Sequence, residues 1–104
     1  MSELHNFGLV RFSKKTGKID AAITGIGSGM IKMWALQNTP KAKVSVIVDI
    51  DERCTVAEYV GTNTGFPDIR KNPEDFEFDL PDELWVIFDE EVGKRKSRIQ
   101  GEKE

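Results

Sequence analysis

The run from Lys18 to Leu36 restricts the possible folds of this chain more than any other stretch. Residues 19–24 are typical of a strand, and residues 29–37 place apolar side chains at helical spacing. Regular structure between them is interrupted by three glycines: Gly25, Gly27 and Gly29. Ser28 is the predicted N-cap of the helix. The first N–H groups of a helix lack partners within it and can bind an anion, so this turn is a candidate ligand site formed by Gly25, Gly27, Ser28 and Gly29.

The span from Ile19 to Asp51 is similar to the dinucleotide-binding fingerprint of Rossmann-type dehydrogenases. The segment Gly25-Ile26-Gly27 follows a strand and opens a helix, and a second strand ends in Asp49. That family has an acid near this position, which binds the ribose hydroxyls. The third glycine of the fingerprint would fall at Met30, which departs from the pattern. The resemblance implies a phosphate-bearing small molecule at the turn, with Asp49 beside it.

The remaining segments complete an α+β domain over residues 1–93. Residues 7–12 are predicted to form a hairpin with the strand over 19–24. The run 44–50 is rich in β-branched residues and is the clearest strand, and 54–60 is predicted to return beside it. We expect a mainly antiparallel sheet with two helices packed on one face.

The second half of the chain is harder to assign. Residues 61–75 are predicted to be a long loop, and the alternation of apolar and acidic side chains over 76–80 predicts a short edge strand. For 84–88 a helix is favoured over a buried strand, because Leu84, Trp85 and Phe88 fit one helical face. The charged residues 94–104 are predicted to be a disordered tail.

Charge divides the chain into two halves. Residues 1–43 contain seven basic and two acidic residues, whereas residues 44–104 contain eight basic and sixteen acidic ones. The segment 74–91 has nine acids and no Lys or Arg. This acidic surface disfavours nucleic acid as a partner and favours a basic protein, or the basic half of a second copy.

Reactive side chains are few. The chain has one cysteine, Cys54, and one histidine, His5, and no pattern brings the two together. The acids Asp49, Asp51 and Glu52 at a strand end lack the spacing of a calcium loop, so no metal site is predicted. The sequence therefore predicts no catalytic residue and no cofactor, and it favours a protein that is not an enzyme.

The predicted function is that of a small binding or regulatory module acting through protein–protein association, as a homodimer or with a basic partner. Trp34, Trp85 and Phe88 on the predicted helices are the candidate interface residues, because tryptophan is common at binding hot spots. The alternative is a nucleotide- or phosphate-binding domain, or a small enzyme, that uses the Gly25–Gly29 turn. The N-terminus does not look like a signal peptide and no apolar run could span a bilayer, so a cytoplasmic location is expected.

Overall fold

The structure, a computed structural model, describes the backbone of residues 5–102 and the side chains of residues 5–94. Five strands form one sheet: β1 (Asn6–Ser13), β2 (Ile19–Ile26), β3 (Lys43–Asp49), β4 (Cys54–Val60) and β5 (Asp68–Arg70). The strand order is β2-β1-β3-β4-β5, and each neighbouring pair is antiparallel. Two helices, α1 (Gly29–Gln37) and α2 (Asp82–Glu102), complete the fold with a short 3₁₀ turn, Pro73–Asp75. The predicted α+β class with an antiparallel sheet is confirmed.

The two helices cover opposite faces of the sheet, which differs from the expectation that both pack on one face. One buried cluster joins α2 to three valines of β3, which are Val44, Val46 and Val48. Ile47 of the same strand belongs to a second buried cluster, with the buried residues of α1. The cause is visible in β3, whose side chains are apolar on both faces. A strand of this kind is stable only when both faces of the sheet are covered.

The α2 face is closed by Phe88, which is 1% exposed and packs with Leu84 and Val92 over the middle of the sheet. The ring lies directly above Gly8 of β1, where an added Cβ would come within 2.8 Å of it. Gly8 is therefore required by this close approach. On the other face, Ile31 and Ala35 of α1 pack on Leu9, Ile47 and Tyr59.

Three assignments in the second half of the chain are decided by the structure. The helix preferred for residues 84–88 is confirmed. The edge strand predicted over residues 76–80 is wrong, because this segment is irregular. The loop predicted over residues 61–75 contains β5, which is the edge strand at this side of the sheet. The backbone N–H groups of Glu77 and Phe78 instead donate to the buried carboxylate of Glu58, at 2.9 Å each. This side-chain anchor replaces a strand ladder.

Helix α2 extends to Glu102 and so includes most of the segment 94–104. The disorder predicted for that segment stays a prediction, and residues 1–4 and 103–104 lie outside the described residues. Within the described part of the chain, no helix has the length and apolar character needed to cross a membrane.

Candidate functional site

The glycine turn between β2 and α1 is built by backbone contacts. Gly25 lies within β2, and Gly27 adopts a left-handed backbone with φ of +78°. The N–H of Gly27 donates to the carbonyl of His5 at 2.9 Å, which ties the turn to the start of β1. Ser28 occupies the predicted N-cap position of α1, but its hydroxyl makes no capping hydrogen bond. The turn therefore depends on Gly27 and His5, and Ser28 does not cap the helix through its side chain.

Asp49 lies in the same row of the sheet as the glycine turn. Gly25 of β2 and Asp49 of β3 both pair with Phe7 of β1, one on each side of it. In the dinucleotide-binding fingerprint the two corresponding strands are parallel members of a parallel sheet. Here the antiparallel β1 lies between them, so the fold context implied by that resemblance is absent from the described sheet.

His5 joins Asp49 in a contact that sequence patterns do not reveal. The His5 Nδ1 atom lies 2.6 Å from Oδ2 of Asp49, although the two residues are 44 positions apart. Oδ1 of Asp49 accepts the N–H of Glu52 at 3.0 Å, so both carboxylate oxygens of this buried side chain are engaged. The hydrogen bond to Asp49 and the charge of its carboxylate raise the pKa of His5. Only the register of β1 against β3 could have predicted this contact.

Asp51 completes a cluster around His5. Its Oδ2 accepts the backbone N–H of Asn6 at 2.8 Å, next to His5 in the chain. One ligand atom from each of His5, Asp49 and Asp51 lies within 4.8 Å of the others. Two carboxylates at this end of the sheet attract a cation and repel an anion. The anion site at the glycine turn stays a prediction.

Cys54 is poorly suited to nucleophilic chemistry. It pairs with Asp49 across the β3–β4 ladder. Partial desolvation and the carboxylates of Asp49 and Glu52 raise the pKa of its thiol, which keeps the thiol protonated. The hydrogen bonds of the described residues include none between Cys54 and His5, whose Nδ1 is engaged by Asp49.

Large exposed apolar side chains lie at the glycine turn and along the helix that follows it. β2 is an outer strand of the sheet that ends at the exposed Ile26, and Met30, Met33 and Leu36 of α1 are exposed too, Met30 by 86%. Met30, Met33 and Leu36 follow one another at a spacing of three, so they lie on one side of α1. Ile26 and Met30 line one shallow cavity together with Trp34. We call β2 with these four exposed side chains the apolar edge.

The predicted interface residues divide between this surface and the core. Trp34 is half-buried with the Arg11 guanidinium 5.1 Å from its ring, and it borders the apolar edge. Trp85 is half-buried on the opposite face and packs edge-on against Phe88, with ring centroids 6.4 Å apart. Phe88 is part of the closed core. The sequence placed Met30 and Met33 on the apolar face of the predicted helix and did not suggest them as interface residues. The structure shows that both side chains are exposed.

Comparison with protein-family models, with curated proteins and with solved structures finds no match to this chain.

Proposed function

We propose that this protein is a small binding module that acts through protein–protein association, and that two copies pair along the apolar edge. The observation that carries this proposal is an eight-residue outer strand that ends at the exposed Ile26 and is followed by the exposed Met30, in the part of the chain that the structure describes. Natural sheets protect their edges with Lys, Pro, bulges that turn the edge away, or very short strands. β2 contains neither Lys nor Pro, and its one irregularity lies at its start, near Asp20.

A second copy is a suitable partner for this edge because two copies of β2 can pair antiparallel about a two-fold axis perpendicular to the sheet. Both ends of β2 carry an isoleucine that is exposed in the single chain, Ile19 and Ile26. The single charged side chain of β2, Asp20, is held by Arg11 and Lys43 of its own chain, so charge does not oppose this pairing. An added antiparallel strand would supply hydrogen-bond partners to backbone groups on the outer side of β2.

The alternative, a phosphate-bearing ligand at Gly25–Gly29, stays a prediction with less support. The carboxylates of Asp49 and Asp51 are gathered beside the turn through His5, and they disfavour an anion there.

Light scattering coupled to gel filtration over a concentration series tests the proposed association. We expect a dimer for the unmodified chain, and for the double variant Ile26→Lys/Met30→Lys a dissociation constant raised at least about tenfold, which corresponds to about 1.4 kcal/mol. The matched control is Phe66→Lys, which charges an equally large exposed side chain beside β5. A monomer at every concentration would contradict the proposal, as would an equal loss of association in the Phe66→Lys variant.

A further inference from the structure

We propose that His5, Asp49 and Asp51 form a binding site for a divalent transition-metal ion, independently of any pairing at the apolar edge. These residues come from the position just before β1, the end of β3 and the turn after β3, so the tertiary fold assembles the site. The cluster therefore differs from a run of neighbouring acids, because its nitrogen donor comes from a distant part of the chain.

The distances suit direct coordination. Donor atoms bound at about 2.1 Å from a common ion lie about 3 to 4 Å apart. One donor atom from each of the three side chains lies within 4.8 Å of the others, so a small rotation of the side chains is sufficient. In the metal-free chain a proton bridges His5 Nδ1 and Asp49 Oδ2, which are 2.6 Å apart. A cation that displaces this proton would take both atoms as ligands, and they would move apart from 2.6 Å to the distance of about 3 to 4 Å that separates donors of one ion.

The donors indicate the class of metal. One imidazole nitrogen and two carboxylates favour Zn²⁺ or Mn²⁺ over the harder Ca²⁺, which prefers a larger set of oxygen ligands. His5 is about one-third exposed at its side chain, and Asp51 is exposed, so water can complete the coordination sphere.

Surrounding hydrogen bonds hold the two carboxylates in place. Asp49 is oriented by the N–H of Glu52 and Asp51 by the N–H of Asn6, at 3.0 and 2.8 Å. Partners of this kind fix the orientation of metal ligands and raise affinity, because less freedom is lost on binding.

Titration calorimetry with ZnCl₂, using the full chain, tests the site. We expect one Zn²⁺ per chain and an affinity at least about tenfold weaker in His5→Ala and in Asp51→Asn. Asp51→Asn retains an oxygen acceptor for the N–H of Asn6, so the fold is preserved even if His5→Ala is unstable. Because the chain has a single histidine, broadening of its imidazole proton signals by MnCl₂ would report the site directly.

Two controls separate this site from other ways of binding zinc. Glu52→Gln removes an exposed carboxylate from the same turn without removing a proposed ligand, and Cys54→Ser removes the neighbouring thiol. Both variants should bind Zn²⁺ within about twofold of the unmodified chain. The proposal is overturned if Zn²⁺ does not bind, if Asp51→Asn leaves the affinity unchanged, or if Glu52→Gln weakens binding as much as Asp51→Asn.

Discussion

The two edges of the sheet are built in different ways. β2 is eight residues long and ends at the exposed Ile26, and the exposed Met30 and Met33 follow in α1. β5 is three residues long and places two charged residues, Asp68 and Arg70, on either side of Ile69. Short, charged edge strands resist pairing with other sheets, whereas long apolar ones invite it. β5 thus has the features that protect an edge, and the proposed pairing of two copies rests on the longer, more apolar β2.

The protected side depends on a buried charge. The side chain of Glu58 in β4 is fully buried, yet it pairs in register with Arg70 of β5 and accepts the N–H groups of Glu77 and Phe78. The Nη1 atom of Arg70 lies 3.5 Å from the Glu58 carboxylate and 3.2 Å from that of Glu77. Glu58 thus holds both β5 and the segment that follows it.

Replacing Glu58 with alanine should therefore have the largest effect on stability. The change would leave the backbone N–H groups of Glu77 and Phe78 without their acceptor and Arg70 with the Glu77 carboxylate alone, and each unsatisfied backbone group costs about 1 to 3 kcal/mol. Urea unfolding followed by circular dichroism should show the decrease in the free energy of unfolding.

The control for this variant is Glu77→Gln, at a residue that also faces Arg70 but whose side chain is largely exposed. It should lower the free energy of unfolding by less than about 1 kcal/mol, as expected for a surface ion pair. Similar losses of unfolding free energy in the two variants would show that the exposed ion pair, and not the buried Glu58, holds β5. The difference between the β2 and β5 edges would then need another explanation.

The contact between Gly8 of β1 and Phe88 of α2 lies away from both edge strands, so its effect on stability can be compared with effects at the edges. In Gly8→Ala the new methyl group would lie 2.8 Å from the ring of Phe88, which is 1% exposed. We expect a loss of about 2 kcal/mol in the free energy of unfolding, because overpacking displaces the ring and α2 with it. Thermal and urea unfolding would measure this loss.

The matched glycine variant is Gly29→Ala at the first residue of α1, where no atom lies within 4 Å of the added Cβ. It should leave stability unchanged or raise it by about 0.5 kcal/mol, since alanine favours the helix. Equal effects at the two glycines would mean that α2 is not packed closely on β1.

Much of the fold was predictable from local patterns. The β-branched run 44–50, the turn residues around Gly17 and the apolar spacing in 29–37 each favour one local conformation, and β3, the first hairpin and α1 follow them. The faces covered by the helices were not predictable in this way. The helices cover both faces because β3 is apolar on both sides. That property requires cover on both faces only when β3 is the central strand, and the strand order is not evident from local patterns.

The candidate sites were only partly predictable. Asp49 and the glycines were identified from their place at a strand end and a turn, but the partner of Asp49 is 44 residues away. The burial of Glu58 has no local signal either, because an alternating strand with one acid is ordinary on a solvent-facing surface. Long-range register decides both cases, and a single sequence does not show it.

The smallest predicted effect concerns how β2 is attached. The Asp20 carboxylate lies 2.9 Å from Nε of Arg11 in β1 and 2.8 Å from Nζ of Lys43 in β3, so it links the outer strand to its neighbour β1 and to the next strand, β3. Hydrogen bonds from Arg11 and then from Lys43 lower the pKa of Asp20 from 3.8 to about 2. The ionised form is favoured in the folded state, and its contribution to stability is fully present only above the unfolded-state pKa.

Comparing the unmodified chain with Asp20→Asn at several pH values isolates this link. The variant should be slightly less stable at neutral pH, and the difference should shrink as the pH falls from 3.8 towards about 2, where the native carboxylate also becomes protonated. Urea midpoints measured at pH 7, 4, 3 and 2 would follow that difference. A difference that persists at the lowest pH would mean that Asp20 stabilises β2 through its shape or neutral hydrogen bonds. The attachment of the apolar edge to β1 and β3 would then not depend on charge.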